Sequence, residues 1–221
     1  LPKFQDYEAL IDLDEQIDLK EKYKPAIFSL LYVGKLDHES TLYRALDAAR
    51  FVLRNPRLIF IVLGDGKARK EFVKRTEILG IQHQVAFEPK VKDEIAYLKS
   101  ANILIVTDTD ADSEELVLKA AAAGIPMVMA WTEKRADTFV DGKHAFLVDP
   151  TDVQGFTNRI DDLLNNFQLR KQFIEQCQEM IRRDFHTDPT AYRKAYRASI
   201  EAALFVEPDA AAEFSRDVAG E

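Results

Sequence analysis

The residues best suited to chemistry form one acidic run, in which five carboxylates fall between positions 108 and 115: Asp108, Asp110, Asp112, Glu114 and Glu115. The run follows an apolar stretch, Ile103–Val106, and leads into small and apolar residues that end at Gly124. Clustered carboxylates can cap a helix, ligate a divalent cation or accept hydrogen bonds from the hydroxyls of a sugar. The residues alone leave these three alternatives open, with helix capping as the default.

Each alternative assigns the acidic residues differently. In the capping alternative, Asp112 or Ser113 caps the helix and the two glutamates lie in its first turn, where they suit the helix dipole. In the metal alternative, Asp108, Asp110 and Asp112 ligate a cation, but the glycine and terminal glutamate of a calcium loop are missing. In the third alternative, pairs of carboxylate oxygens accept the hydroxyls of a polyol.

Two glycine turns follow apolar stretches elsewhere in the chain, at Gly34-Lys35 and at Gly64-Asp-Gly66. A glycine at such a turn lets a ligand approach the backbone, and the Lys35 ammonium could meet a phosphate as a point charge. The competing explanation is a tight turn with a solvated lysine. The pattern at Gly64-Asp-Gly66 is too short to be a dinucleotide-binding fingerprint.

Other kinds of chemistry have little support. The histidines lack the spacing of zinc ligands, and no cysteine lies near any of them: His38, His83, His144 and His186. No Gly-x-Ser-x-Gly motif supports a serine hydrolase. The formal net charge of −8 argues against general nucleic-acid binding. The single cysteine, Cys177, indicates a reduced, cytoplasmic setting, and no apolar run has the length of a membrane span.

The scaffold that would position these groups follows from the order of apolar and amphipathic segments. Six strands are expected, at about 28–33, 58–63, 85–87, 103–106, 127–130 and 145–148. Helices are expected between successive members of the first five strands, then at about 153–165 and 168–183, with a last helix reaching about Phe205. This alternation predicts an α/β protein with a Rossmann-like, doubly wound parallel sheet and C-terminal helices. Ligands bind beyond the carboxyl ends of such strands, which is where the acidic run lies.

The expected domain layout has three parts. Residues 1–27 form a connecting arm, and residues 28–205 form the Rossmann-like domain with its C-terminal helices. Residues 206–221 form an acidic tail, which we expect to be disordered because it mixes proline, alanine and acidic residues. The chain starts at Leu1 rather than Met, so we expect it to be a piece of a longer polypeptide.

Several segments taken in order carry a resemblance to a known family: 31–36, 58–66, 101–106, 120–128 and 140–150. They resemble the C-terminal domain of the glycosyltransferases that include sucrose synthases and bacterial mannosyl- and glucosyltransferases. The resemblance implies a GT-B fold, in which two Rossmann-like domains enclose the active site and the C-terminal one binds the nucleotide sugar. Leu1-Pro2 also resembles the segment that enters this domain. The acceptor-binding N-terminal domain is then a partner within the parent protein.

The resemblance also exposes departures in the donor-site motif. The family has an arginine and a lysine directed at the diphosphate, where this chain has Lys35 and Ser40. The family's two glutamates, which have seven residues between them, correspond to Ala111 and Lys119. An ammonium has only donors, so Lys119 cannot accept a ribose hydroxyl. The glycines between those glutamates are replaced by Ser113, Glu114 and Glu115, which bring negative charge toward a pyrophosphate.

The resemblance implies a set of donor-binding residues and no assignable catalytic residue. In this set, Lys35 contacts the diphosphate, the loop at Lys90-Val91 contacts the base, the start of the helix supplies amides, and Glu115 replaces a lost glutamate. The predicted donor site comprises Gly34, Lys35, Val91, Ser113, Glu115 and Lys119. No cofactor is implied beyond the nucleotide sugar as donor substrate, and a divalent metal has no ligand set to support it.

Two functions therefore compete. The first is a nucleotide-sugar-dependent glycosyltransferase of which this chain is the C-terminal donor-binding domain, inactive alone. The alternative is a catalytically inactive glycosyltransferase-like domain that acts in binding or assembly, because fold alone does not imply function. A third possibility is an unrelated doubly wound domain, such as a sugar-nucleotide epimerase or a receiver-like module. This chain lacks the motifs that are typical of either one. The expected location is cytoplasmic, and any peripheral membrane contact is expected through the missing domain.

Overall fold

The computed structural model describes residues 6–89, 91, 93–185, 194, 197, 198 and 200. The chain divides into two units. One unit, Tyr7–Phe185, holds every strand and helix described below, and the other combines residues 1–6 with 186–221. The predicted last helix and acidic tail lie almost wholly outside the described residues, as do Leu1, Pro2 and Lys90. The expected three-part domain layout stays a prediction.

The elements of the larger unit alternate as the sequence predicts. The strands are β1 (Phe28–Val33), β2 (Leu58–Leu63), β3 (Val85–Glu88), β4 (Ile103–Val106), β5 (Met127–Ala130) and β6 (Phe146–Val148). The helices are α1 (Tyr7–Asp12), α2 (Leu19–Lys22), α3 (Leu42–Val52), α4 (Arg69–Leu79), α5 (Glu94–Ser100), α6 (Ala111–Ala123), α7 (Glu133–Thr138), α8 (Val153–Asn165) and α9 (Phe167–Asp184). A short 3-10 turn, Gln82–Gln84, precedes β3.

The strands form one sheet in the order β3-β2-β1-β4-β5-β6, and every pairing is parallel. The chain order reverses between β1 and β4, so the crevice beyond their carboxyl ends is the topological switch point, where such sheets bind ligands. Gly34-Lys35 follows β1 and the acidic run follows β4. The sheet therefore brings together the two segments that the sequence singled out. The predicted fold class is confirmed.

Alternating side chains of the strands build one apolar layer on each face of the sheet. Leu30 and Tyr32 of β1 pack with helices α3 and α8 on one face. Leu31 packs with α5, α6 and α9 on the other. The burial of both faces explains why these strands are continuous apolar runs rather than alternating patterns. It also fixes the carboxyl edge on which the candidate site is built.

The structure differs from expectation in its short elements. Helices α1 and α7 were not predicted, since six residues span fewer than two turns and show no clear periodicity. Strand β3 extends to Glu88, and β6 begins at Phe146, because Ala145 forms only an isolated bridge with Asp141. The two C-terminal helices α8 and α9 lie close to their predicted bounds.

Candidate functional site

The carboxylate of Asp108 ties together the ends of β1 and β4. Its Oδ1 accepts hydrogen bonds from the Thr41 amide at 2.8 Å and the Thr41 hydroxyl at 2.7 Å, and its Oδ2 accepts from the Tyr32 hydroxyl. Tyr32 is fully buried, and burial together with the Asp108 charge holds the pKa of this phenol well above its usual range. Both oxygens of Asp108 therefore serve the protein's own loops, which weakens the metal alternative.

Arg135 on α7 is buried and holds the other side of the acidic run. Its guanidinium donates to three backbone or side-chain oxygens: Ala130 O at 2.8 Å, Asp108 O at 2.9 Å and Ser113 Oγ at 2.9 Å. Its Nε lies 2.9 Å from Glu114 Oε1. The two groups form an ion pair, but the angles between them do not meet the criteria for a hydrogen bond. Burial lowers the pKa of Arg135 and the Glu114 charge opposes that shift. The guanidinium joins the ends of β4 and β5 to α6.

Helix α6 begins at Ala111, two residues earlier than a cap at Asp112 allows and three earlier than a cap at Ser113 allows. Asp110 is the cap, because its Oδ1 accepts a hydrogen bond from the Ser113 amide at 2.8 Å. The Ser113 hydroxyl donates to Asp110 O at 2.7 Å, and the side chain is buried. The general capping alternative is correct, but its assignment to Asp112 or Ser113 is wrong. Capping needs an extended residue just before the first turn, and the sequence did not locate that turn.

Lys35 reaches across the switch point to the first turn of α6. Its ammonium lies 2.5 Å from Asp112 Oδ2, and both side chains are exposed. The hydrogen bond to Asp112 and its negative charge raise the pKa of Lys35. The cation therefore lies beside a helix N-terminus, which is the combination that favours a phosphate. An intramolecular carboxylate occupies the partner position in this structure.

Glu115 and Lys119 form a separate pair one turn further along α6, with Nζ 2.7 Å from Oε1. Helix α1 packs against this helix, and burial together with the Glu115 charge raises the pKa of Tyr7. The two predicted donor residues therefore neutralise each other beside the arm. Surface pairs of this type stabilise a helix weakly.

The glycine turns are explained by the close approach of backbones. A Cβ on Gly64 would lie 1.9 Å from Gly34 O, and a Cβ on Gly66 would lie 2.4 Å from Leu36 O. A Cβ on Gly34 would lie 2.8 Å from Tyr32 Oη and 3.1 Å from Asp108 Oδ2. The turns after β1 and β2 thus pack directly on each other. Turn geometry is sufficient to account for these glycines.

Val91 lies in the loop after β3, partly buried against the apolar layer that includes α5 and α6. Next to it, Glu88 Oε1 accepts a hydrogen bond from the Tyr23 hydroxyl at 2.6 Å and lies 2.9 Å from Lys22 Nζ. Burial by itself would raise the pKa of Glu88. The hydrogen bonds to these two partners and the charge of Lys22 outweigh that effect, so the pKa of Glu88 is lowered overall. This network holds the end of β3 against α2.

Sequence reasoning placed Gly34, Lys35, Ser113, Glu115 and Lys119 in the two segments that the structure brings to the switch point. It placed Val91 in the loop after β3, a strand that β2 separates from β1. It missed Tyr32, Thr41 and Arg135, which hold those segments together. A polar residue in a predicted strand was the signal for Tyr32. Nothing in the sequence indicated the role of Arg135. Arginine side chains are usually exposed, and no pattern in the adjacent sequence predicts that this one is buried.

Among the described residues, this edge carries no cluster that could hold a metal ion, since no group of three histidine, cysteine or acidic side chains is arranged to do so. Two grooves of about 490 and 570 Å³ lie at the opposite, amino-terminal edge, on either side of Ile27 and Phe28. Among the described helices, none combines the length and hydropathy of a bilayer-spanning segment. The candidate site is defined here by its chemistry and by its place at the switch point.

Solved structures share the fold of this chain. The C-terminal domain of a glycosyl transferase group 1 family protein, LpcC, from Francisella tularensis superposes with a TM-score of 0.73 and 17% identity, covering 84% of this chain and 100% of that one. WaaG, a glycosyltransferase involved in lipopolysaccharide biosynthesis, gives a TM-score of 0.68 and 19% identity over 86% of this chain and 50% of that one. Identities this low establish the fold alone.

Curated relatives are similar over part of their length. The lipopolysaccharide core biosynthesis glycosyltransferase LpsE of Rhizobium meliloti (strain 1021) is 25% identical over 157 residues, which cover 71% of this chain and 44% of LpsE. The Vi polysaccharide biosynthesis protein VipC/TviE of Salmonella typhi is 25% identical over 141 residues, 62% of this chain and 24% of that protein. The chain thus spans less than half the length of each of these two relatives.

The sequence profile of one family covers most of the chain. The profile of the glycosyl transferases group 1 matches residues 15–180, which include all six strands and helices α2 to α8. This range also contains the Gly34-Lys35 turn, the acidic run and Arg135. The family that the sequence motifs resemble is confirmed, and this chain belongs to the glycosyl transferases group 1 family.

Proposed function

We propose that this chain is the C-terminal, donor-binding domain of a nucleotide-sugar-dependent glycosyltransferase. An acceptor-binding N-terminal domain in the same parent protein completes the active site, so the chain is inactive alone. The acidic run and the Gly34-Lys35 turn form the diphosphate end of the donor site. The loop at Val91 contacts the base of the nucleotide through its backbone groups.

The observation that carries the proposal is the meeting of Lys35 with the first turn of α6 at the switch point. Lys35 Nζ lies 2.5 Å from Asp112 Oδ2, so an anionic oxygen already occupies the space beside the ammonium and the helix N-terminus. Both side chains are exposed and can separate at little cost, since exposed ion pairs are weak. A diphosphate oxygen is the ligand group that would replace the Asp112 carboxylate there.

Relatives agree with this class of substrate. One is a GDP-mannose-dependent mannosyltransferase of Mycolicibacterium smegmatis, 26% identical over 166 residues. Anabaena HepE, similar in fold, was solved with UDP and glucose. These properties belong to those proteins, and they support a nucleotide sugar as the ligand class without selecting the base or the sugar.

Calorimetric titration tests the proposal. UDP, GDP, ADP and their hexose conjugates are titrated, with and without magnesium, into this chain and into its full-length parent. Saturable binding of one nucleotide series is expected, and the series identifies the base. If the folded parent binds none of them under any of these conditions, the donor-site assignment is wrong.

A second candidate function is a non-catalytic domain for binding or assembly. It is favoured by the Lys119–Glu115 pair, at 2.7 Å, because the family has a carboxylate where Lys119 stands. That pair leaves a cation at the position that would accept ribose hydroxyls. The same titration separates the two candidates, since only a donor domain binds the nucleotide.

A further inference from the structure

Trp131 is the only tryptophan of the chain and follows β5 at the carboxyl edge of the sheet. The residue is 50% exposed, although an indole is among the largest apolar surfaces that a protein can bury. The predicted donor site does not include it. An exposed indole at the ligand-binding edge of the sheet is available for contact with a ligand.

Buried hydrogen bonds place Trp131 next to the candidate donor site. The preceding carbonyl, Ala130 O, accepts from Arg135 Nη1 at 2.8 Å. The other terminal nitrogen of the same guanidinium donates to Asp108 O and Ser113 Oγ, each at 2.9 Å. One planar group therefore spans the backbone before Trp131 and the acidic run. The indole lies on the same edge as the Lys35–Asp112 pair.

The backbone that presents the indole is fixed on both sides. The Trp131 amide donates to Val148 O at the end of β6, at 2.6 Å. The next residue, Thr132, caps α7 by accepting from the Arg135 amide at 3.1 Å. A ring held on a rigid base loses little conformational entropy on binding a ligand, which is the usual advantage of aromatic contact residues.

The surroundings of the indole select the chemistry of the occupant. The residues after it, Thr132, Glu133 and Lys134, are polar, and the two charged ones are exposed. A ligand that suits this place has one apolar face for the indole and hydrogen-bonding groups around its rim. A pyranose ring has that construction, because its C–H groups form a face and its hydroxyls form the edge.

We propose that Trp131 is a stacking platform for a pyranose ring at the carboxyl edge of the sheet. The inference rests on the proposed function, since it supplies the sugar-binding part of the same site. The ring can belong to the donor sugar or to a carbohydrate acceptor. Both present the same C–H face to the indole, and the experiment distinguishes them.

Intrinsic tryptophan fluorescence can monitor ligand binding at this site, because the tryptophan emission of the chain comes from Trp131 alone. The emission is followed while methyl α-glucopyranoside, maltose, UDP-glucose or UDP is added. Sorbitol is the control ligand, since it carries hydroxyls but no ring face. A saturable change with the pyranosides and none with sorbitol is expected. A response to UDP-glucose alone identifies the donor sugar, and a response to the free pyranosides identifies an acceptor position.

Variants test the role of the ring by ligand-observed NMR. Trp131→Ala should weaken pyranoside binding about tenfold, the loss expected for one aromatic contact, while Trp131→Phe should largely retain it. Ile78→Ala is the matched control, because Ile78 is 68% exposed in the last turn of α4, away from the carboxyl edge. No saturable emission change, an equal change with sorbitol, or unaltered binding by Trp131→Ala would each overturn the platform.

The nucleotide titration keeps the two proposals separate. Nucleotide binding with no saturable emission change on addition of either UDP-glucose or the free pyranosides removes the platform and leaves the donor site in place. A pyranoside response without nucleotide binding supports the platform and removes the donor site.

Discussion

The guanidinium of Arg135 lies 2.9 Å from the carboxylate of Glu114, in a pair that joins α7 to α6 inside the protein. The Arg135 side chain has no exposed surface and the Glu114 side chain is 12% exposed. Removing one partner of a buried ion pair leaves an uncompensated charge, which is strongly destabilising. The pair also fixes the acidic run, because the same guanidinium bonds Asp108 O and Ser113 Oγ.

Arg135→Met should therefore lower the free energy of unfolding by ~3–5 kcal/mol, the usual cost of breaking a buried pair. Urea denaturation monitored by circular dichroism measures it. Arg159→Met is the control, because Arg159 pairs with Asp162 at the surface and should change stability by less than about 1 kcal/mol. Equal losses in the two variants would show that burial of Arg135 does not matter.

Gly64→Ala should also destabilise the protein, by at least ~2 kcal/mol, since its Cβ would lie 1.9 Å from Gly34 O. The clash is with backbone, so no side chain can move to relieve it. Gly142→Ala is the matched variant: Gly142 has a φ of +71° but nothing within 4 Å of an added Cβ. This substitution should lower the free energy of unfolding by only on the order of 1 kcal/mol, because alanine is strained in the left-handed backbone conformation. Thermal unfolding compares them, and a smaller loss for Gly64→Ala contradicts the packing of the two turns.

Cys177 should be unreactive in the folded protein. Its side chain is buried, and burial raises the pKa of the thiol from 9.0 to about 12. A thiol-specific disulfide reagent at about pH 8 should therefore label Cys177 only after unfolding in urea, when the thiol is exposed and its pKa returns to its ordinary value. Rapid labelling of the native chain would show that the thiol is accessible.

The same shift gives stability a pH dependence of definite sign. The folded protein keeps a proton that the unfolded chain loses, so this contribution is complete below the unfolded pKa. It is lost as the pH rises from about 9 toward about 12. Cys177→Ala should lack this part of the alkaline decline, as measured by urea denaturation across that range.

Asp112→Asn should strengthen nucleotide binding several-fold, because it removes the carboxylate that lies 2.5 Å from Lys35 and would repel a diphosphate. Lys35→Ala should weaken the same binding, and both effects should diminish at high salt. Calorimetry with the nucleotide that binds the parent chain measures them. Lys171→Ala, which removes an exposed pair with Glu175 on α9, is the control and should change nothing. Weaker binding by Asp112→Asn would contradict a diphosphate at this position.

The double change Glu115→Gln/Lys119→Glu should raise the affinity for nucleotides. It places a carboxylate where the family has one, so that ribose hydroxyls gain an acceptor, and it avoids two neighbouring negative charges. Glu115→Gln alone serves as the control. If the double variant binds no better than this control, α6 does not face the ribose, and the second candidate function gains support.

The sequence was sufficient for the family and the architecture. Six apolar runs of strand length, alternating with amphipathic segments, specified a parallel sheet, because strands buried on both faces need continuous apolar residues. The order of glycine turns, from Gly34 to Gly142, identified the family without any one motif being decisive. Short elements such as α7 were lost, because six residues carry too little periodicity to be recognised.

Several properties of the site were decided only by the tertiary structure. The sequence shows the acidic run of 108–115, but it does not show that Asp108 clamps Tyr32 and Thr41, that Asp110 is the cap, or that Asp112 lies against Lys35. Residues that are 67 and 77 positions apart meet there. Arg135 illustrates the reason most clearly. Local propensity records what a residue does within its own turn of chain, whereas burial and charge pairing depend on which distant segments the sheet brings to one edge.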